Sequence, residues 1–267
     1  MTREDRPFYW ALGILGGGYV VLILLLVLAN VFKLNLSGIR GFNTPEVWYA
    51  VWFSLLTSTL SAMLATIVAV PLGYVMARTS FRGKRLVDAV LDIPIVLPPL
   101  VIGLSLLILF QTWPGRMFQQ YVVNVTYQRI SVVIAQFAVA AAFAVRAMKI
   151  TFDQMTPRSE QVALTLGCTR AQAFLRVVLP EARRGVVAAF AIAWARSFGE
   201  FGPVLVFSGS TRLKTEVLST TVFLELSIGR LDAAVAVSLF MVLIALAVLL
   251  VLRFLGPADV MGKMVRP

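Results

Sequence analysis

Histidine is absent from this 267-residue chain, and cysteine occurs once, at Cys168. The scarcity of both residue types excludes a disulfide framework and most zinc sites, and it removes the commonest general acid–base side chain. The Gly-x-x-x-x-Gly-Lys-Ser/Thr pattern of a nucleotide-binding loop is also missing. We therefore expect no metal, cofactor or catalytic site in this chain, and any ATP chemistry would belong to another chain.

Charged residues are scarce as well, at 14% of the sequence, whereas 59% of the residues are hydrophobic. Soluble domains average about 45–50% apolar and about 25% charged residues. A bilayer accommodates the excess of apolar side chains, and open sheet edges cannot lie in lipid, so we predict an all-α polytopic membrane protein. The net charge of +11 lies in the gaps between apolar runs, which favours the positive-inside rule over nucleic-acid binding.

Six apolar stretches are each long enough to cross a bilayer as a helix of about 20 residues. They are Phe8–Phe32, Val51–Ala77, Leu86–Phe110, Ile130–Ile150, Gly185–Phe207 and Leu231–Leu255. The first exceeds the roughly 7–15 apolar residues of a signal peptide, so we predict a retained helix. With the N-terminus inside, the cytoplasmic segments hold more than twice as many Lys and Arg residues as the external ones. Both termini are therefore predicted to be cytoplasmic.

The predicted organisation is one membrane domain with an added first helix. Residues 1–47 form an N-terminal helix and an external loop, 48–255 form a five-helix core, and 256–267 form a cytoplasmic tail. The core includes the longest hydrophilic stretch, which contains a segment at 156–180 on the cytoplasmic side.

This cytoplasmic segment has the capping signals of two short helices. Thr156 is a suitable N-cap and Pro157 suits the first helical position. Gly167 favours a left-handed stop, and Thr169 can cap a second helix, whose end is marked by Pro180. The pattern alone is also compatible with an amphipathic helix pair lying on the membrane surface.

The spelling of the segment resembles the EAA loop of ABC importer permeases. That loop has Glu-Ala-Ala, three residues, Gly, nine residues, an aliphatic residue, one residue and Leu-Pro. Here the matching positions hold Gln161-Val162-Ala163, Gly167, Val177 and Leu179-Pro180. Gln161 and Val162 depart from the usual Glu and Ala, and the departure at Gln161 puts a charged contact at that position in doubt.

In that family the first short helix docks on a separate ATPase subunit. The resemblance therefore implies a coupling helix that transmits rigid-body motion to the membrane helices. The residues to which it assigns ATPase coupling are Ser159, Glu160, Gln161, Val162, Ala163, Gly167, Cys168, Leu179 and Pro180.

The fifth apolar stretch carries charge within the predicted membrane. Arg196 and Glu200 are four residues apart and share one helix face. A charge at a helix centre costs on the order of 2.5–3.5 kcal/mol, so such residues pair with one another or line a path. We keep both interpretations, a structural ion pair and a gate. The phrase Arg-x-x-Gly-Glu-Phe-Gly at 196–202 is similar to that of molybdate, tungstate and sulfate permeases.

The third apolar stretch begins with a proline-rich run, Leu91–Gly103. It is either a simple helix start, with Asp92 near the positive N-terminus, or irregular backbone that lines a cavity. Together with the previous phrase, it supplies the residues predicted for the translocation path or gate: Arg196, Ser197, Gly199, Glu200, Phe201, Gly202, Pro98 and Pro99.

The resemblance covers about 48–255 and implies a type I ABC importer permease in the inner membrane of a bacterium or archaeon. It further implies a homodimer, two ATPase subunits that bind ATP and Mg, and an external substrate-binding protein. The favoured cargo is a tetrahedral oxyanion, with molybdate or tungstate ahead of sulfate. Another solute, such as phosphate, iron or a polyamine, is the alternative. A secondary transporter or channel is more distant, because Glu200 is the sole carboxylate placed deeply in a predicted span.

Overall fold

A computed structural model describes residues 6–34 and 44–255 of the chain. Within those ranges the regular structure is entirely helical, which confirms the predicted all-α class. The predicted tail at 256–267 and most of the predicted first external loop lie outside the described residues, so these two predictions stay predictions.

Eleven helices are numbered here in chain order within the described ranges. They are α1 (Arg6–Lys33), α2 (Pro45–Arg78), α3 (Lys84–Val96), α4 (Pro99–Gln111), α5 (Trp113–Tyr121), α6 (Arg129–Gln154), α7 (Arg158–Thr165), α8 (Arg170–Ala173), α9 (Arg183–Phe198), α10 (Leu218–Ser227) and α11 (Leu231–Leu255). Two π-helical turns are added, the first π turn at Phe174–Val178 and the second π turn at Val204–Ser208.

The core is a bundle of α2, α6 and α9, which pack against one another along much of their length. Small side chains allow this close approach, as is usual between helices in a membrane. The fully buried alanines of these helices include Ala62, Ala65 and Ala69 of α2, Ala140 and Ala144 of α6, and Ala189 and Ala193 of α9. At Gly73 of α2 a Cβ atom would lie 2.7 Å from Met148 Cβ, so α2 and α6 nearly touch there.

Four described helices are long and apolar enough to span a membrane. They are Leu12–Lys33, Pro45–Arg78, Arg129–Gln154 and Leu231–Leu252. The pair α3 and α4 would add a fifth span, although it bends by 110° between Val96 and Pro99. The predicted count of six spans is therefore not confirmed.

The bend between α3 and α4 corrects one interpretation of the proline-rich run. The helix begins at Lys84, so Asp92 does not lie at a helix start but in the third turn of α3. Its carboxylate pairs with the Arg146 guanidinium of α6. Asp88 lies 3.3 Å from Arg146 and 3.4 Å from Lys149. Because α3 buries no residue of its own, these ion pairs are a large part of what attaches it to α6.

The stretch predicted as one helix at Gly185–Phe207 is also interrupted. The helix α9 stops at Phe198, and helical structure resumes only after Phe201, as the second π turn. Gly199, Gly202 and Pro203 lie at this interruption, where a glycine costs helix stability and a proline lacks the backbone N–H. The fifth stretch is therefore not one continuous helix, and the break occurs where the glycines and the proline allow one.

Candidate coupling segment and membrane path

The helix α7 ends in the left-handed stop that the sequence predicts. Gly167 has a φ of +89°. The Cys168 N–H donates to the Ala163 carbonyl at 3.1 Å, and the Gly167 N–H donates to the Leu164 carbonyl at 3.1 Å. These two bonds form a Schellman motif, which satisfies the terminal carbonyl groups and fixes the exit direction of the chain.

The second short helix begins as predicted but continues differently. Thr169 forms a capping box with Gln172, in which each side chain bonds the other residue's backbone N–H. After Ala173, however, the chain widens into the first π turn, where the Leu179 N–H donates to the Phe174 carbonyl. Pro180 then lies inside a helical turn at Leu179–Glu181 instead of ending the helix. A proline without an N–H and with a bulky ring favours such a local widening.

The outward face of this segment carries three exposed apolar side chains among polar ones. The side chains of Val162, Leu166 and Leu175 are 56%, 80% and 59% exposed. These residues lie outside the spanning helices, where exposed apolar groups face water unless a partner covers them. Of the other predicted coupling residues, Gln161 and Pro180 are also exposed, while Ala163 is buried against the body of the protein.

Two predicted coupling residues form hydrogen bonds with other parts of this chain. Glu160 accepts a hydrogen bond from Tyr74 of α2 and lies 3.9 Å from the Arg78 guanidinium. The Ser159 hydroxyl donates to the Glu181 carboxylate at 2.9 Å. The structure therefore brings Glu160 together with α2, a partner that the sequence pattern does not indicate. Cys168 and Leu179 are half-buried.

In the stretch predicted as the fifth span, Arg196 and Glu200 form an ion pair at the end of α9. Arg196 Nη1 lies 2.8 Å from Glu200 Oε2, and the carboxylate side chain is only 1% exposed while the guanidinium side chain is 28% exposed. The guanidinium also lies 5.7 Å from the ring centroid of Phe143 of α6. Both a structural and a gating role remain compatible with this geometry, since the pair is closed and sits beside the break.

The break after α9 meets the start of α4. A Cβ at Gly202 would lie 2.9 Å from the Leu100 backbone N, and a Cβ at Gly103 would lie 2.6 Å from Pro203 Cα. The two glycine- and proline-rich runs, which the sequence singled out separately, therefore pack backbone to backbone. Non-helical backbone at membrane depth requires this kind of protein cover.

Polar partners from α10 complete the break. The Ser219 hydroxyl donates to the Glu200 carbonyl at 2.7 Å. The ring of Phe201 contacts that of Phe223 at a centroid distance of 5.4 Å. Ser197 is fully buried, and its hydroxyl has no hydrogen-bond partner among the described residues. The remaining predicted path residues divide, because Pro98 and Gly199 are exposed and Pro99 is half-buried.

A charged cluster at the opposite end of the bundle from α7 was not anticipated. Arg212 lies 2.6 Å from Glu225, which is also 4.0 Å from Arg230. Glu216 is fully buried nearby, and burial raises the pKa of its carboxyl group, although the Thr221 hydroxyl and the Arg212 charge oppose the shift. From the sequence, Arg212 and Arg230 are only basic residues of predicted external segments. No local pattern pairs them with Glu225 of α10.

No group of three or more His, Cys, Asp or Glu side chains is placed to hold a metal ion anywhere in 6–34 and 44–255. Within that part of the chain, the carboxylates described above, apart from Glu216, are instead engaged by arginine, lysine, tyrosine or serine side chains.

Unequal burial of the Arg196–Glu200 pair predicts unequal costs of removing its two members. Arg196→Gln leaves a buried carboxylate without its cation, and we expect it to cost on the order of 2–3 kcal/mol, allowing for the partial exposure of the guanidinium. Glu200→Gln leaves a partly exposed guanidinium and should cost less. Thermal unfolding of the purified variants measures both. Equal losses of stability in the two variants would argue against this description of the pair. So would a double variant, Arg196→Gln with Glu200→Gln, that is no more stable than Arg196→Gln alone.

Known proteins resemble this chain in sequence and in fold. Residues 69–258 match the family described as binding-protein-dependent transport system inner membrane component. The chain is 36% identical over 169 residues to a sulfate transport system permease protein of Salmonella typhimurium, a match that covers 62% of this chain but only 61% of that relative's length. It is 30% identical over 257 residues to a molybdate/tungstate transport system permease protein of Thermococcus kodakarensis, covering 95% of this chain and 97% of the relative.

The fold recurs among solved structures. A chain of the crystal structure of a bacterial alginate ABC transporter, in complex with an alginate pentasaccharide-bound periplasmic protein, superposes with a TM-score of 0.73 at 18% identity. The superposition covers 95% of this chain and 96% of the other. The family match takes in the Arg78 end of α2, the coupling segment, the break and α11, and on this evidence the chain belongs to the inner membrane components of binding-protein-dependent transport systems.

Proposed function

We propose that this chain is the permease subunit of an ATP-driven importer that carries a tetrahedral oxyanion, with molybdate or tungstate favoured and sulfate next. The observation that carries the proposal is the coupling segment, a capped helix pair that lies outside the spanning helices and exposes the apolar side chains of Val162, Leu166 and Leu175. A membrane component of a transport system is not itself an enzyme, so the energy of ATP must enter through such a surface.

The outward face of α7 is suited to a separate ATPase subunit. Val162 and Leu166 present apolar side chains, and Gln161 presents an uncharged amide beside them. Burial of two such aliphatic side chains is worth about 1.5–3 kcal/mol each, which is appreciable for a small contact. In this proposal two ATPase subunits bind ATP and Mg, and they bind two copies of this chain, which form a homodimer.

The cargo follows from the path and from the relatives together. Relatives named for sulfate and for molybdate/tungstate transport include the two described above. A dianion needs positive potential and hydrogen-bond donors along its path, without a site so strong that it stays bound. Arg196, whose charge is offset by Glu200 at 2.8 Å, provides a moderate potential of this kind at the break. An external binding protein would supply the selectivity.

Purification of the chain with its ATPase tests the cargo. The complex is reconstituted in lipid vesicles, and ATP hydrolysis is measured with binding protein loaded with molybdate, tungstate, sulfate or phosphate. We expect stimulation by molybdate or tungstate, weaker stimulation by sulfate and none by phosphate. Stimulation by phosphate alone, or by none of the four anions, would contradict the assignment to molybdate, tungstate or sulfate. Uptake that continues without any ATPase would contradict the importer itself.

A further inference from the structure

The Arg78 end of α2 carries a tyrosine at which four elements of the chain meet. The Tyr74 hydroxyl donates to Glu160 of α7. The Tyr74 ring lies 5.6 Å from the Phe152 ring of α6, edge to face, and 4.7 Å from the Phe174 ring of the first π turn. One side chain of α2 therefore contacts both halves of the coupling segment and the end of α6.

The carboxylate of Glu160 also faces Arg78 at the same end of α2. Arg78 Nε lies 3.9 Å from Glu160 Oε2, and Arg78 Nη2 donates to the Met155 carbonyl at 2.8 Å. Both ion-pair side chains are largely buried. Hydrogen bonds to a charged group are roughly twice as strong as neutral ones, so this contact resists separation better than the surrounding apolar packing alone. Glu160 consequently faces away from the side on which Val162 and Leu166 are exposed.

The helix that holds this contact also reaches the break in the membrane path. Farther along α2, the Thr59 hydroxyl accepts a hydrogen bond from Trp194 Nε1 of α9 at 3.2 Å. The Ser54 hydroxyl accepts one from the Leu218 N–H of α10 at 2.8 Å. Trp194 is two residues from Arg196, and Leu218 is adjacent to Ser219, which bonds the Glu200 carbonyl. A single helix thus connects the coupling segment with both sides of the break.

We propose that Tyr74, Arg78 and Glu160, here named the anchor, are positioning residues that transmit a displacement of α7 to α2. Glu160 then acts within this chain and not on the ATPase, which changes the role that the sequence pattern gives it. The inference rests on the proposed function, because it concerns how motion received at α7 reaches the path. Helices that are packed this closely move as rigid bodies, so a firm attachment at one end displaces the other.

The test separates attachment from docking. Tyr74→Phe keeps the ring contacts with Phe152 and Phe174 and removes only the hydroxyl. Tyr49→Phe is the matched control, since Tyr49 also lies on α2 and its hydroxyl donates to the Lys214 carbonyl at 3.0 Å, at the other end of the helix. Capture of the ATPase, ATP hydrolysis and oxyanion uptake are measured for the whole complex in vesicles.

For Tyr74→Phe we expect normal capture and hydrolysis, with uptake per ATP hydrolysed reduced roughly fivefold, the factor expected for one lost hydrogen bond. For Tyr49→Phe we expect the same uptake per ATP hydrolysed as for the unmodified chain. Glu160→Gln keeps an oxygen that accepts from Tyr74 but loses the charge that faces Arg78. Its uptake per ATP hydrolysed should lie between the values of Tyr74→Phe and Tyr49→Phe.

Three outcomes would overturn the inference. An unchanged ratio in Tyr74→Phe would show that the anchor transmits nothing. Loss of ATPase capture in Tyr74→Phe would show that Tyr74 only maintains the shape of the docking surface. If the unmodified chain captures no ATPase, the proposed function fails and the inference fails with it, a result distinct from capture with an unchanged ratio.

Discussion

Replacement of Gly167 by valine is expected to reduce ATPase capture and uptake roughly tenfold or more, because a left-handed backbone costs a non-glycine residue about 1–2 kcal/mol and a β-branched one more. Gly167 has a φ of +89°, and its environment is open, so the cost is one of backbone conformation and not of a clash. Relief of the strain would break the bonds from Cys168 and Gly167 that close α7. Leu166 would then leave the outward face.

The control for this prediction is Gly229→Val. Gly229 has a φ of +79° and is equally open, and it lies in the turn between α10 and α11, remote from the coupling segment. The same type of strain there should leave ATPase capture intact. Pull-down of the ATPase from detergent by each variant compares them. Retained capture by Gly167→Val, or equal loss by both variants, would contradict the docking role of α7.

Gly103→Ala is expected to destabilise the protein by roughly 1–3 kcal/mol, the usual cost of inserting a methyl group into a closely packed site. The new Cβ would lie 2.6 Å from Pro203 Cα and 3.1 Å from the Pro203 carbonyl oxygen. Both neighbours are backbone atoms at the break, so they cannot turn aside as the end of a flexible side chain can. The start of α4 and the break would then separate.

Gly199→Ala serves as the matched control for Gly103→Ala. Gly199 lies in the same region with a φ of −83°, and the nearest atom to an added Cβ is the Ala195 carbonyl oxygen at 3.7 Å. We expect its melting temperature to stay close to that of the unmodified chain. If both variants melt at the same temperature, the break and α4 are not in the close contact described here.

Local chemistry explains why much of the coupling segment could be predicted. Gly167 and Thr169 act on residues within five positions of themselves, through backbone bonds that sequence spacing alone determines. The inward direction of Glu160 could not be predicted in this way. Its hydrogen-bond donor, Tyr74, is 86 residues away and is brought there only by the packing of α2 on α6.

The membrane path shows the same division between local and tertiary effects. Glycine and proline indicate where a helix can break, and both breaks occur beside those residues, at Pro98 and at Gly199. Neither run contains information on its contact with the other. Arg146 was counted by sequence as one of the cytoplasmic positive charges, but in the structure it pairs with Asp92, a partner that depends on how α3 lies along α6.

We expect the outward face of α7 to bind an ATPase. Site-specific photo-cross-linking of the assembled complex measures this contact directly. In a Cys168→Ser background, single cysteines are introduced as Gln161→Cys and Leu166→Cys on the exposed face and as Ala163→Cys on the buried face, and each is labelled with a benzophenone maleimide. The account predicts cross-linked ATPase from the two exposed positions and little from position 163. Absence of ATPase from both exposed positions, with the complex intact, would contradict it.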